Sequence, residues 1–290
     1  MKATSIAIRA FVGTGLFLIF SVGTPGMSKA EPGVAEATCV DLPDGAISWW
    51  PGDDDPADIL FTNDGTLRNG AGFDVGLVGS AFHFDGVNDF VKAPDHNMPL
   101  AAEPRSLEFW MKPGSTARVP FWYGEHVPFD SFYVIFRDEG EEKFTCIGQA
   151  WGGDIEVCGS TNVVDGAWHH VAVTYDGTLA SLYLDGNLEA SIERTYATTS
   201  TGNVYIGAPI ESVAEHYYSG LLDEITMYNS VLTVPQIQSI YNAGSAGKCK
   251  LIGGLITDFT ASTRTARHGE LVDFTLTLQN PGTTDSDLAP

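Results

Sequence analysis

Positive charge is scarce in this chain. Only 15 Lys and Arg stand against 37 Asp and Glu, for a formal net charge of −22. Nucleic acid is excluded as a partner, because phosphate contacts need clustered Lys and Arg. An anionic membrane surface would repel the chain as well. Cysteine is also rare: there are four, and no CxxC pair that would make a zinc site. Catalytic signatures are missing too, with no HExxH, no Gly-x-Ser-x-Gly and no Walker loop. The acidic run DEGEE at 138–142 reads as a solvated turn. Beyond residue 30 no apolar stretch is long enough to cross a bilayer, so no membrane insertion is expected. The chain therefore reads as a non-enzyme.

The first thirty residues follow a different logic. Lys2 and Arg9 precede the apolar run AFVGTGLFLIFSVG (10–23), and SKA (28–30) supplies small residues for cleavage after Ala30. That pattern predicts a secretory signal peptide over 1–30, with a second small-residue site at Ala35–Ala37. Export implies a secreted or cell-surface protein, and the excess acid then serves solubility or holds calcium. Residues 31–39 read as a linker, 40–248 as one large β domain, and 249–290 as the start of a second.

In an oxidising compartment four cysteines imply two disulfides, with three connectivities open. CIGQAWGGDIEVC (146–158) reads as two alternating runs around a Gly-Gly turn. Folding it at Gly152–Gly153 brings Cys146 nearly opposite Cys158, with a one-residue offset for a bulge to absorb. Cys39 and Cys249 then pair by default and bracket the large domain.

Strand signals fill that domain. SLEFWMKP (106–113) alternates Leu107, Phe109 and Met111 with Ser106, Glu108 and Lys112, and SFYVIFRD (131–138) and NVYIGAP (203–209) are short β-rich runs. Asp-Gly at 176–177 and 185–186 predicts tight turns in a three-strand meander. One segment is helical, LTVPQIQSIYNAG (232–244), with Thr233 as N-cap, Pro235 in the first turn and Gly244 as the stop. Many short strands and one helix predict a β-sandwich of jelly-roll type. His169 and His170 are adjacent on a strand and point to opposite faces, so they can neither chelate one metal nor act as a pair; they read as scaffold. After Cys249, VDFTLTLQN alternates strictly, as the first strands of another sandwich would.

Seven blocks then carry a resemblance: ISWWPGDDDPADILFTNDGTL (47–67), GLVGSAFHFDGVNDFVKAPD (76–95), LEFWMKP (107–113), GAWHHVAVTYDG (166–177), LYLDGNLEAS (182–191), VYIGAP (204–209) and GLLDEITMYNSVLTVPQIQSIYNAG (220–244). In this order they resemble the laminin G-like, concanavalin A-like jelly-roll domains of bacterial exported proteins, and the tail resembles the opening of an Ig-like repeat. Related glycosidases carry a Glu-x-Asp-x-(x)-Glu strand, which does not occur here. The resemblance implies a structural calcium, with Asp58, Asn63, Asp64 and Asp223 at the matching positions. Asp85 and Asn88 of FDGVND form a second set. In the first loop ILFT replaces the small polar residues that usually follow the first Asp.

The resemblance also implies recognition of a glycan or an extracellular protein through loops at one edge of the sandwich. Aromatic platforms for it would be Trp122 and Tyr123 of VPFWYGEH, Trp151 at the hairpin tip, and Tyr217 and Tyr218 of EHYYSG. An architectural module of a larger surface protein is the alternative, and a glycoside hydrolase or its accessory domain a remote third.

Overall fold

Runs with a period of two can bury one face only by stacking on another sheet. The computed structural model describes residues 4–11, 39–114, 117–127, 129–139, 142–148, 156–210, 216–250, 255–261 and 271–279. In chain order the first strands are β1 (Thr4–Phe11), β2 (Ala46–Trp50), β3 (Thr66–Arg68), β4 (Gly72–Val75), β5 (Ser80–Asp85) and β6 (Phe90–Ala93). They continue as β7 (Arg105–Pro113), β8 (Phe121–Tyr123), β9 (Phe132–Glu139), β10 (Glu142–Gly148), β11 (Val157–Cys158) and β12 (His169–Tyr175). The last are β13 (Leu179–Leu184), β14 (Asn187–Glu193), β15 (Val204–Ile206), β16 (Ser219–Tyr228), β17 (Leu255–Ala261) and β18 (Leu271–Gln279), with one α-helix, α1 (Val234–Ala243), before β17.

The chain divides into two units, and Ala37–Cys249 is the larger. Its strands form two antiparallel sheets: a seven-stranded one in the order β11-β10-β9-β8-β15-β6-β3, and an eight-stranded one in the order β14-β13-β12-β7-β16-β5-β4 with β2 paired to β16. The jelly-roll sandwich expected from the sequence is thus the observed fold. In the other unit β18 lies between β1 and β17 in an antiparallel sheet. β1 falls within the expected leader, whose proposed cleavage region lies outside the described residues.

The predicted alternation is real. Leu107, Phe109, Met111, Val171, Val173 and Tyr175 face the opposing sheet in the main core with Phe82, Phe84 and Phe121. Each such side chain contributes roughly 1.5–3 kcal/mol on burial. The two Asp-Gly turns solve their geometry differently. At 185–186 both residues take positive φ, 49° and 76°, while at 176–177 only Gly177 does, at 105°. Asp176 compensates with its side chain, whose Oδ1 accepts from the backbone N–H of Thr178 and Leu179.

Helix α1 is capped as expected. The Gln236 N–H reaches the Thr233 hydroxyl, the Thr233 N–H reaches Gln236 Oε1, and Gly244 closes the last turn at φ 52°. It lays Ile237 and Ile240 over Ala172, Tyr228 and Leu232 on the outer face of the eight-stranded sheet. That cover buries residues whose alternation alone would send them to solvent. Glu108, His170, Glu224 and Lys248 are all buried there.

Glu108 sits 2.8 Å from the Lys248 ammonium and 3.1 Å from His170 Nε2, and it accepts from the Tyr228 hydroxyl at 3.2 Å. Lys248 also lies 3.4 Å from the Glu224 carboxylate and 4.9 Å from the Trp49 ring centroid. Burial alone would push the Glu108 carboxyl up, but the Lys248 charge and the His170 contact hold it below the usual range. Burial works against the Lys248 charge too, and its two carboxylates reverse that and raise it.

Both disulfides form as expected. Cys39 and Cys249 join with Cα atoms 4.9 Å apart across 210 residues of sequence, a closure worth about 4–5 kcal/mol in the chain-entropy model. Cys146 pairs with Cys158 directly opposite on β10 and β11, without the anticipated offset. No helix among the described residues is long and apolar enough to cross a membrane.

Lys248→Met leaves two buried carboxylates without their cation. The expected loss is about 3–5 kcal/mol of unfolding free energy by urea denaturation. Adding Glu108→Gln to that variant restores part of it.

Candidate functional site

The adjacent histidines act as scaffold through different partners. His170 turns toward Glu108 beneath α1. His169 on the other face is held by two carboxylates, with Nδ1 2.8 Å from Asp185 Oδ2 and Nε2 3.2 Å from Asp165 Oδ1. The Asp185 hydrogen bond raises the His169 pKa above its ordinary value, against the opposing effect of burial. A raised folded value means the folded state binds the proton more tightly. The stabilisation is therefore complete below the ordinary histidine value of about 6.5 and is lost as pH rises through the folded value. The melting-temperature gap between the wild type and His169→Gln should accordingly be wide at acidic pH and narrow at alkaline pH.

The calcium positions do not converge. Asp58, Asp64 and Asp223 form no cluster of carboxylates at metal-ligand spacing among the described residues. Asp58 is fully buried, and its oxygens accept from the backbone N–H of Trp49 at 2.8 Å, Leu60 at 2.9 Å and Asn63 at 2.9 Å. Asp64 accepts from the Asp58 N–H at 3.1 Å. Asp223 instead holds the β4–β5 turn, accepting from Leu77 and Val78 N–H at 2.8 and 2.9 Å. Asp85 accepts from Val87 N–H at 2.7 Å as an ordinary turn residue, and the Asn88 carbonyl accepts from the Asn69 amide at 2.9 Å. Backbone donors thus occupy both oxygens of Asp58 and one oxygen each of Asp64 and Asp223. Asp58→Ala should therefore cost at least about 3 kcal/mol by urea denaturation, because it leaves three inward donors unmet.

The aromatic platforms are corrected as well. Trp122 and Tyr123 lie on β8, not in an open loop, and both are buried. Trp122 stacks on Tyr133 with centroids 4.4 Å apart, beneath Ile210, and Tyr217 is partly buried against the same cluster. Tyr218 is fully buried and donates to the Leu221 carbonyl. Trp151 lies outside the described residues. Tyr123 and Tyr218 belong to the main core, and Trp122 and Tyr217 to a second packed cluster, which composition could not show.

A different surface emerges where loops meet at one edge. Asn63 exchanges two hydrogen bonds with the His96 backbone, at 2.9 and 3.0 Å. Asp95 accepts from the Ser200 hydroxyl and from the N–H groups of Thr201 and Gly202. Asp130 accepts from Glu125 N–H and from both the N–H and the hydroxyl of Thr199. The Ala101 N–H donates to Thr198, and that of Ala197 to Phe129. Loops 58–64, 95–103, 124–130 and 195–202 are thereby stitched into one edge.

Beneath them Arg105 is fully buried. It donates to the Tyr123 hydroxyl, the Thr198 hydroxyl and the Ala101 carbonyl. Four rings surround its guanidinium, those of Tyr123, Phe132, Tyr175 and Tyr196, at 5.6–5.8 Å.

On this braced edge two phenylalanines face solvent: Phe61 is 91 % exposed and Phe129 48 %. Both hold left-handed backbone, at φ 61° and 64°. A bulky side chain rarely adopts that region, at a cost of about 1 kcal/mol or more. Leu100 and Val127 are exposed beside them in the loops. A cavity of about 380 Å³ opens at the same loops, lined by Asn97, Pro99, Glu103, Pro104 and Asn229. The signal for Phe61 was the ILFT departure from small polar residues. Nothing in the sequence pointed to Phe129.

Solved structures share the fold at low identity. Domain 4 of the extracellular arabinanase AbnA from Geobacillus stearothermophilus, in complex with arabinotriose, matches at 19 % identity and TM-score 0.55, over 67 % of this chain and 96 % of that one. The binding domain of Paraclostridial Mosquitocidal Protein 1 matches at 13 % identity and TM-score 0.54, over 79 % and 63 %. The binding domain of botulinum neurotoxin DC, in complex with rat synaptotagmin II, matches at 11 % and 0.53, over 69 % and 52 %. No curated protein matches. Residues 85–238, more than half of the chain, match the concanavalin A-like lectin/glucanases superfamily in its laminin G form, and to that family the chain belongs.

Proposed function

We propose that the jelly roll is a non-catalytic recognition module, working outside the cell after export and binding a glycan or a protein through the stitched loop edge. The observation that carries this reading is the pair of exposed phenylalanines at positive φ. Phe61, 91 % exposed, spends backbone strain on a solvated side chain, and the loops around both phenylalanines are fastened against relaxing. The fold neighbours agree in kind, since one is complexed with arabinotriose and another with synaptotagmin II. Hydrolysis draws no support from Glu108 and Glu224, which are buried and tied to Lys248.

An architectural role is favoured by a separate observation. Cys39 and Cys249 bring the two ends of the unit together, as suits a bead in a longer string. The two readings part at the edge. Asparagine tolerates left-handed backbone, so Phe61→Asn, at the 91 % exposed position, should leave unfolding free energy unchanged or raise it by up to about 1 kcal/mol, and Phe129→Asn should leave the chain folded. On an array of neutral and acidic oligosaccharides and extracellular proteins, the same variants should lose at least tenfold in affinity for whatever the wild type retains. Wild-type binding that survives both substitutions would remove this edge as the site, and a wild type that retains nothing on the array would leave only the architectural reading.

A further inference from the structure

We infer that the partner at this edge is a polypeptide surface carrying Lys and Arg around apolar pockets. This rests on the recognition reading above and narrows it. Residues 58–64, 95–103, 124–130 and 195–202 contain no Lys or Arg, and they hold Asp64, Glu103 and Glu125 in exposed positions. The two cations next to these loops are turned to rings: Arg105 is fully buried and donates to Tyr123, Thr198 and Ala101, and Arg194, partly buried, donates to the Tyr196 hydroxyl at 3.2 Å and lies over that ring. The edge therefore presents apolar anchors inside a rim of one sign.

Such a surface repels the phosphates of a membrane and the carboxylates of acidic glycans, which rules out two common extracellular targets for exposed aromatics. A neutral sugar would gain nothing from the rim. A basic polypeptide gains from both parts: the rim steers its approach and fixes orientation, and Phe61 and Phe129 fill its pockets. The backbone of both phenylalanines is already fixed, with the Asp58 carbonyl accepting from the Phe61 N–H at 2.8 Å and the Phe129 carbonyl from Ala197 at 2.7 Å, so little ordering remains for the moment of binding.

The test uses a phage-displayed library of random peptides selected on the full chain, with enriched sequences synthesised and titrated. The expected result is enrichment of Lys or Arg flanking an aromatic or aliphatic residue. Affinity should fall at least tenfold from about 0.05 M to about 0.5 M salt, and at least tenfold again in the combined Phe61→Asn, Phe129→Asn chain. Asp64→Lys with Glu125→Lys should weaken the same peptides while leaving the melting temperature in place. Enriched peptides without basic residues, or binding indifferent to the phenylalanine variants, would overturn the inference. A neutral arabino-oligosaccharide that binds the wild type and is lost in the phenylalanine variants would overturn it too, yet leave the recognition reading standing. If neither peptides nor oligosaccharides respond to those variants, both fail.

Discussion

The Lys248 ammonium, held between Glu108 and Glu224 and over the ring of Trp49, is the contact on which the larger unit closes. It joins three parts of the chain far apart in sequence: a central strand of the eight-stranded sheet, the bulge in β16 and the segment leaving the domain. A buried ion pair seldom adds net stability over an apolar isostere, because desolvation consumes the attraction. What it adds here is selection. Only one placement of the exit segment puts an ammonium between those two acids, and in that placement Val40 bridges Lys248 and Cys39 meets Cys249. Helix α1, with Ile237 and Ile240, then seals the charges from water.

The same economy of cations explains what the many carboxylates do. With few Lys and Arg to pair with, Asp58, Asp95, Asp130, Asp176, Asp185 and Asp223 turn to backbone N–H groups. Each fastens a loop that would otherwise bury unpaired donors. A jelly roll joins many strands by loops, so a supply of short acidic side chains is a structural material as much as a solubilising coat.

The parts legible in the sequence were those decided locally. The capping box of Thr233 and Gln236, the positive φ at Gly177 and Gly186, and the facing cysteines of β10 and β11 all depend on residues within about a dozen positions. What could not be read was coverage. Glu108 alternates as a solvent-facing residue should, and its partner stands at position 248. Trp122 and Tyr217 looked like open platforms because nothing local shows that they share one packed cluster with Ile210 and Tyr133. The loop edge fell between these cases. Asp58 and Asn63 announced a turn, but a phenylalanine in left-handed backbone is something the surrounding structure imposes, and no propensity forecasts it.

The bond between Cys39 and Cys249 also has a mechanical consequence. Tension entering at one end of the unit and leaving at the other passes through a covalent link only 4.9 Å long between Cα atoms. The strands between them bear none of that load. Under load the sandwich and its loop edge would therefore keep their shape while the segments outside the disulfide stretch.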